Sequence, residues 1–345
     1  MNKKERSPVY YSEYLQLDKI LNAQSPESAK EGIKADDEML FIIIHQAYEL
    51  WFKQILHELG IVREIFKQEN IHENEPDIYN SVHRLKRVCR ILDVAVNQMA
   101  VLETMTPLDF LDFRDLLRPA SGFQSIQFKL IEATLGLAYD QRHGKGYYLS
   151  QLNQSDIDMV KKAEAEESLI VLINRWLERM PFIKNKSYWD EVTEDSEFWA
   201  AYRKAYIDSL SEGEQGNVKL FDTLFTDGES YPKERRFSAD SNRNALFIML
   251  YRDHPLLHLP YELLSTLLEI DELLSMWRHR HIHMVQRTIG KRVGTGGSSG
   301  AEYLRSAADT HYVFKELAEL TSFLLPRHSL PKLPQLLISD LGFKQ

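Results

Sequence analysis

The sequence predicts an all-α fold, a multi-helix single domain spanning residues 1–345, and three observations carry that prediction. Glycine and proline are sparse for a chain of 345 residues, 15 and 12, so few positions break a helix. Apolar residues recur every three or four positions over unusually long stretches, as in Phe41, His45, Tyr48, Phe52, Ile55, Leu59, Val62 and Phe66, which places them on one helix face. No segment of 20 to 50 residues repeats, which argues against a solenoid.

The elements follow in order. Residues 1–35 read as an N-terminal arm and helix. Asp36, Asp37 and Glu38 then supply the negative charge that suits a helix N-terminus, and the stripe above runs from there to about Phe66 with Glu49 and Lys53 as an i,i+4 pair. A second long pattern extends from about Asp77 to Thr104. Thr106 offers an N-cap, Pro107 the first helical position and Asp109 a capping-box partner, and Arg118-Pro119 ends that short helix. Ser121 starts another helix through "GFQSIQFKLIEATLG". Between about residues 138 and 240 the chain becomes charged, with amphipathic patterns at "SDIDMVKKAEAEESLIVLINRWLERM" and "SEFWAAYRKAYIDSL"; we read a charged helical excursion, not an independent domain. Apolar density returns at "NALFIMLYRDHP" and in a helix starting near Pro260.

Composition excludes several functions. With 51 acidic against 42 basic residues the net charge is −9, so there is no basic field to gather a polyanion and no nucleic-acid partner is expected. A single cysteine, Cys89, forbids an intramolecular disulfide and reads as a packed residue. The start "MNKKERSPVYYSEYL" lacks the apolar core of a signal peptide and no apolar run is long enough for a bilayer, so the expectation is a cytoplasmic protein with no membrane partner.

Four features invite chemistry. His45 occupies a core-facing position where leucine packs better; it is either a core histidine bonded to a neighbouring carbonyl or tyrosine, or a functional group. His281 lies on the stripe Leu263, Leu267, Ile270, Leu274, Trp277, His281, Val285. A neutral imidazole on a rigid helix among apolar walls suits the proximal position of a haem iron, the alternative being a core residue. No Cys-x-x-Cys-His site exists, so such a haem would be non-covalent. His279 and His283 point elsewhere and lack a third zinc ligand; they read as a solvated face with Arg280 and Arg287. The glycine-rich "GTGGSSG", residues 294–300, has no Walker lysine and reads either as a lid with Thr295 and Ser298 at its tip or as a plain linker. Arg114, on a face with Phe110, is either a carboxylate fork or a surface partner of Asp112 or Asp115.

Taken together, "DDEMLFIIIHQAYELWFKQILHEL", "FLDFRDLLRPASGFQSIQFKLIE", "MWRHRHIHMVQRTIGKRVGTGGSSGAEYLRS" and "SFLLPRH" resemble, in order and over most of the chain, the signature blocks of the tryptophan 2,3-dioxygenase family. That resemblance implies an indoleamine/tryptophan dioxygenase-like helical fold and a homotetramer holding haem b, ferrous when active. It implies insertion of O2 across the C2–C3 bond of the L-tryptophan indole ring to give N-formyl-L-kynurenine, the first step of the kynurenine pathway. Matched residue by residue, His281 resembles the proximal ligand, His45 the distal histidine, Phe41 and Phe110 the aromatic walls, Arg114 the carboxylate clamp and Thr295 the loop threonine. Tyr11, Tyr14 and Leu15 resemble the N-terminal segment that completes a neighbouring subunit's pocket. Phe110 stands where some members carry tyrosine, which leaves the carboxylate more dependent on Arg114 and Thr295. Because the indole N–H is a very weak acid, His45 is expected to position the ring and not to be an obligatory base. An aromatic hydroxylase of the same superfamily and a non-enzymatic haem sensor are the rival readings, and neither requires the joint set of His45, Arg114 and Thr295.

Overall fold

The computed structural model describes residues 8–68, 76–137, 152–185, 187–189, 197–226, 228, 231–290, 292, 305, 308 and 311–342. Short helices α1 (Tyr11–Leu15), α2 (Leu17–Leu21) and α3 (Glu27–Lys30) precede α4 (Glu38–Phe66) and α5 (Pro76–Leu102). Next come α6 (Pro107–Arg114) and α7 (Ile126–Leu135), then α8 (Gln154–Ala165), α9 (Leu169–Glu178), α10 (Glu197–Ser209), α11 (Asn217–Phe225) and α12 (Ala239–Leu250). The chain ends with α13 (Pro255–Ile289), α14 (Lys315–Glu319) and α15 (Gln335–Leu341). No strand occurs among the described residues, in agreement with the all-α expectation.

The centre is made by α4, α5 and α13 packed lengthwise, with α7 laid against α4. Their inward faces are the stripes legible in the sequence. Phe52, Ile55, Leu59, Val62 and Phe66 on α4 and Leu263, Leu267, Ile270 and Leu274 on α13 are buried. Each such side chain contributes roughly 1.5–3 kcal/mol of burial free energy, which far exceeds helix propensity in holding these long helices in place. Cys89 is packed on the same seam, its Sγ donating to the Thr266 carbonyl at 3.8 Å, and burial pushes its thiol up to about 12.

Local signals set most boundaries. Thr106 caps α6 in a reciprocal box, accepting from the Asp109 N–H at 3.3 Å while the Asp109 carboxylate accepts the Thr106 N–H at 2.8 Å. Three boundaries differ from expectation. Ser121 caps only a 3-10 turn, Gly122–Gln124, and the α-helix proper begins at Ile126. The pattern over 155–180 is broken between Ala165 and Leu169 into α8 and α9. Pro260 is inside α13, which starts at Pro255 in the N1 position. Pro260 is itself buried, so packing outweighs the hydrogen bond its ring nitrogen cannot make.

The charged stretch 138–240 contains a core helix. Leu169, Ile170, Leu172, Ile173, Trp176 and Leu177 of α9 are all buried, and α9 packs on α12 and α4. Acidic flanks conceal this narrow apolar stripe when composition is averaged over the region. Gly136 caps the end of α7 where it meets the start of α9. Its φ is +123°, and a Cβ there would meet Ile170 Cγ2 at 2.5 Å and Ser168 Oγ at 2.9 Å. Gly136→Ala should therefore destabilise the fold by about 2–4 kcal/mol, combining left-handed strain with overpacking. A denaturant midpoint equal to the parent's would refute that expectation.

Candidate active site

A cavity of about 290 Å³ opens between α4, α6, the 121–125 turn, α7 and α13. Five residues singled out in the sequence line it together: Phe41, His45, Phe110, Arg114 and His281. Their sequence separation is large, so it is the packing of α4 and α13 on α5, with α6 against α13, that brings them to one space.

His45 enters from α4. Its Nδ1–H donates to the Phe41 carbonyl at 2.6 Å, which leaves Nε2 as an acceptor. One nitrogen is thus bound to a backbone carbonyl, and the ring lines the cavity. Burial lowers its pKa below the ordinary imidazole value, and the Phe41 carbonyl and the Glu49 charge oppose that without cancelling it. His45 is therefore a neutral acceptor at neutral pH. Phe41 packs on it with ring centroids 4.1 Å apart, and Phe110 and Phe113 flank Phe41 at 5.7 and 5.6 Å. This is an aromatic wall of mutually tilted rings.

His281 enters from α13. Its pKa is pushed down to about 4, first by burial and then by the neighbouring His45. Its Nδ1 is buried with no hydrogen-bond partner among the described residues. The ring packs against Trp277 at 5.1 Å, while His279, two residues away, is tied to the Ser275 carbonyl at 2.9 Å and His283 is exposed. A neutral imidazole with nothing competing for its lone pair, on an apolar cavity, fits a haem iron.

Arg114 ends α6 and is 5% exposed. Asp115 is 4.0 Å away, is itself 78% exposed and also serves Arg118 at 3.3 Å. The ion pair with Asp115 is therefore a loose contact of a buried arginine that lines the cavity.

Sequence reasoning missed several cavity residues. Glu49, read as an i,i+4 partner of Lys53, accepts from Ser125 Oγ at 2.6 Å and Gln127 Nε2 at 2.8 Å, anchoring the start of α7 and the turn before it to α4. Glu132 and Arg278 form a buried pair at 2.7 Å, and Arg278 also donates to the His311 carbonyl at 2.9 Å. The i+4 relation of Glu49 to His45 was a usable signal. Nothing in the sequence marked His311. Thr295 lies outside the described residues. Tyr11 and Tyr14 are each 75% exposed and Leu15 is 36% exposed, and none of the three is on this chain's own cavity.

The sequence model of the family described as tryptophan 2,3-dioxygenase matches residues 1–223 and 217–324. The chain belongs to the tryptophan 2,3-dioxygenase family. Among curated relatives, the tryptophan 2,3-dioxygenase of Alteromonas mediterranea is 42% identical over 368 residues, covering 99% of both chains. That of Dictyostelium discoideum is 41% identical, covering 97% of this chain and 88% of its own. The Xenopus laevis protein is 42% identical, covering 96% of this chain and 86% of its own. Near-full-length matches in a bacterium, an amoeba and a vertebrate mean that the charged middle and the C-terminal blocks fall within the family's own extent.

Proposed function

We propose that this chain is a haem-dependent dioxygenase that converts L-tryptophan and O2 to N-formyl-L-kynurenine, acting as one domain over residues 1–345. The observation that carries the reading is the meeting, on one apolar cavity, of an uncommitted neutral imidazole at His281, an acceptor nitrogen at His45, the Phe41 and Phe110 wall, and the buried Arg114. His281 Nε2 would hold the iron of haem b. When bound, ferrous haem supplies the chemistry that activates dioxygen for cleavage of the indole C2–C3 bond.

The protein's own residues bind and orient. His45 Nε2 accepts the indole N–H, a bond its fixed tautomer allows without any proton being moved. Phe41 and Phe110 cover the indole faces and keep water out. Arg114 takes the α-carboxylate through its two-pronged guanidinium, and Thr295 is assigned to the same amino-acid end. Both oxygen atoms of O2 enter the product, so turnover consumes no reductant. Haem content followed by anaerobic reduction, addition of L-tryptophan and then air gives the test. N-formylkynurenine at one mole per mole of O2 is the expected product, and a hydroxylated indole or none overturns the reading.

His45→Ala should leave haem content near the parent's and lower kcat/KM by roughly 10-fold, the equivalent of one hydrogen bond of about 1.4 kcal/mol. A haem-replete variant with no detectable turnover would instead make His45 a base.

The arm supports a homotetramer in which Tyr11, Tyr14 and Leu15 complete a neighbour's pocket, because α1 and α2 bury none of their residues. No helix among the described residues is long and apolar enough to cross a membrane, and we assign the protein to the cytoplasm.

A further inference from the structure

We propose that Trp277, backed by Phe128, is a positioning residue that sets the plane of the His281 imidazole by ring packing. This rests on His281 being the haem ligand. A metal-bound histidine ordinarily donates its second ring N–H to a carboxylate, a carbonyl or water, and that bond fixes the ring's rotation. Among the described residues no carboxylate or carbonyl meets that nitrogen of His281, which is buried. The torsion at stake is soft, because χ2 of histidine has broad, roughly two-fold wells. Ring packing is the contact these residues offer to hold it.

Trp277 is one helical turn before His281, so the two rings lie on one face of α13. Their centroids are 5.1 Å apart with planes tilted by 34°. Trp277 is itself confined. Phe128 packs on it at 4.8 Å and 30°, and Tyr48 and Phe52 present their rings edgewise at 6.1 and 6.2 Å. Phe128 is confined in turn by Phe52 at 5.4 Å and by the Arg278 guanidinium, 5.8 Å from its centroid. Arg278 does not move freely either, being held by Glu132 and the His311 carbonyl. The row Arg278, Phe128, Trp277, His281 therefore runs from a fixed ion pair to the ligand. Trp277 is placed to act through its ring: among the described residues its buried Nε1 meets no partner at hydrogen-bond geometry.

The orientation of an axial imidazole governs the rhombicity of the ferric iron, so the electron paramagnetic resonance spectrum of the full-length, haem-loaded protein reads it directly. Trp277→Phe keeps an aromatic face and removes the N–H; its spectrum should match the parent's. Trp277→Leu should broaden or shift the g-values and speed haem transfer to a scavenging apoprotein by about an order of magnitude. Parent-like spectra and transfer rates for Trp277→Leu would overturn the proposal. A Trp277→Phe spectrum as altered as that of Trp277→Leu would also overturn it, by making the N–H the operative group. Should Trp277→Leu fail to fold, Phe128→Leu removes the support behind Trp277 without touching His281. Broadened g-values are expected there, and unchanged ones count against the idea. His281→Ala, measured alongside, separates the two levels: if it retains its haem, the ligand assignment itself fails, whereas a spectrum insensitive to Trp277 and Phe128 in a protein that needs His281 rejects only the positioning role.

Discussion

Replacing His281 by alanine should strip the purified protein of most of its haem. A neutral imidazole is the strong donor this cavity offers to iron, and burial holds it neutral with a pKa of about 4. The other imidazoles lining the cavity are placed for different work. His45 is fixed through Nδ1 to its own helix, and His311 is 3.5 Å from the Glu132 carboxylate. Without the axial bond, haem is retained only by apolar contact and its carboxylates. The check is haem per chain by absorbance, with circular dichroism to show that the helices persist. A His281→Gly protein supplied with free imidazole should recover haem, since the deleted side chain leaves a space of that shape. A full complement of haem in His281→Ala, with a parent-like Soret band, would end the assignment.

Arg114→Ala should lower kcat/KM for L-tryptophan by about one to two orders of magnitude. A charge-assisted contact between a guanidinium and a carboxylate contributes roughly 1.5–3 kcal/mol, and each 1.4 kcal/mol is a factor of about ten. Haem content should barely change, because Arg114 comes from α6 and not from the helix that carries His281. Tryptamine keeps the indole and the ammonium and lacks the carboxylate. It should already be a poor substrate for the parent and lose little more in the variant. The comparison is a double-mutant cycle with one change on the substrate. Equal losses for L-tryptophan and tryptamine would show that Arg114 does not read the carboxylate. The absence of a hydroxyl at Phe110 sharpens the expectation, since that neighbour offers the carboxylate nothing.

Several parts of the fold were readable without coordinates. Helix position and facing follow from spacing, because side chains three and four apart share a face whatever the surroundings. Thus the inward stripes of α4 and α13 were placed correctly, and His45 and His281 with them. Capping is equally local: Thr106, Pro107 and Asp109 announce α6 within four residues. Where a boundary was misplaced, a distant contact had overruled a local signal. Pro260 reads as a helix start, but its burial keeps it inside α13. The apolar stripe of α9 is short and flanked by acids, and only its contact with α4 and α12 makes it part of the core.

By itself, then, the sequence determined an all-α chain, the two inward histidines and, through the order of its motifs, membership of the tryptophan 2,3-dioxygenase family. These are properties of neighbours along the chain, where periodicity and capping act over one or two turns. Tertiary structure alone decided that His45, Arg114 and His281 share one cavity, that Arg114 is buried with only a loose 4.0 Å contact to Asp115, and that Glu132 meets Arg278 across 146 residues. It also decided that the His281 Nδ1 meets no hydrogen-bond partner among the described residues and that its ring packs on Trp277. Burial and pairing at that range depend on which helix faces meet, and that is settled only when the whole apolar surface is packed together.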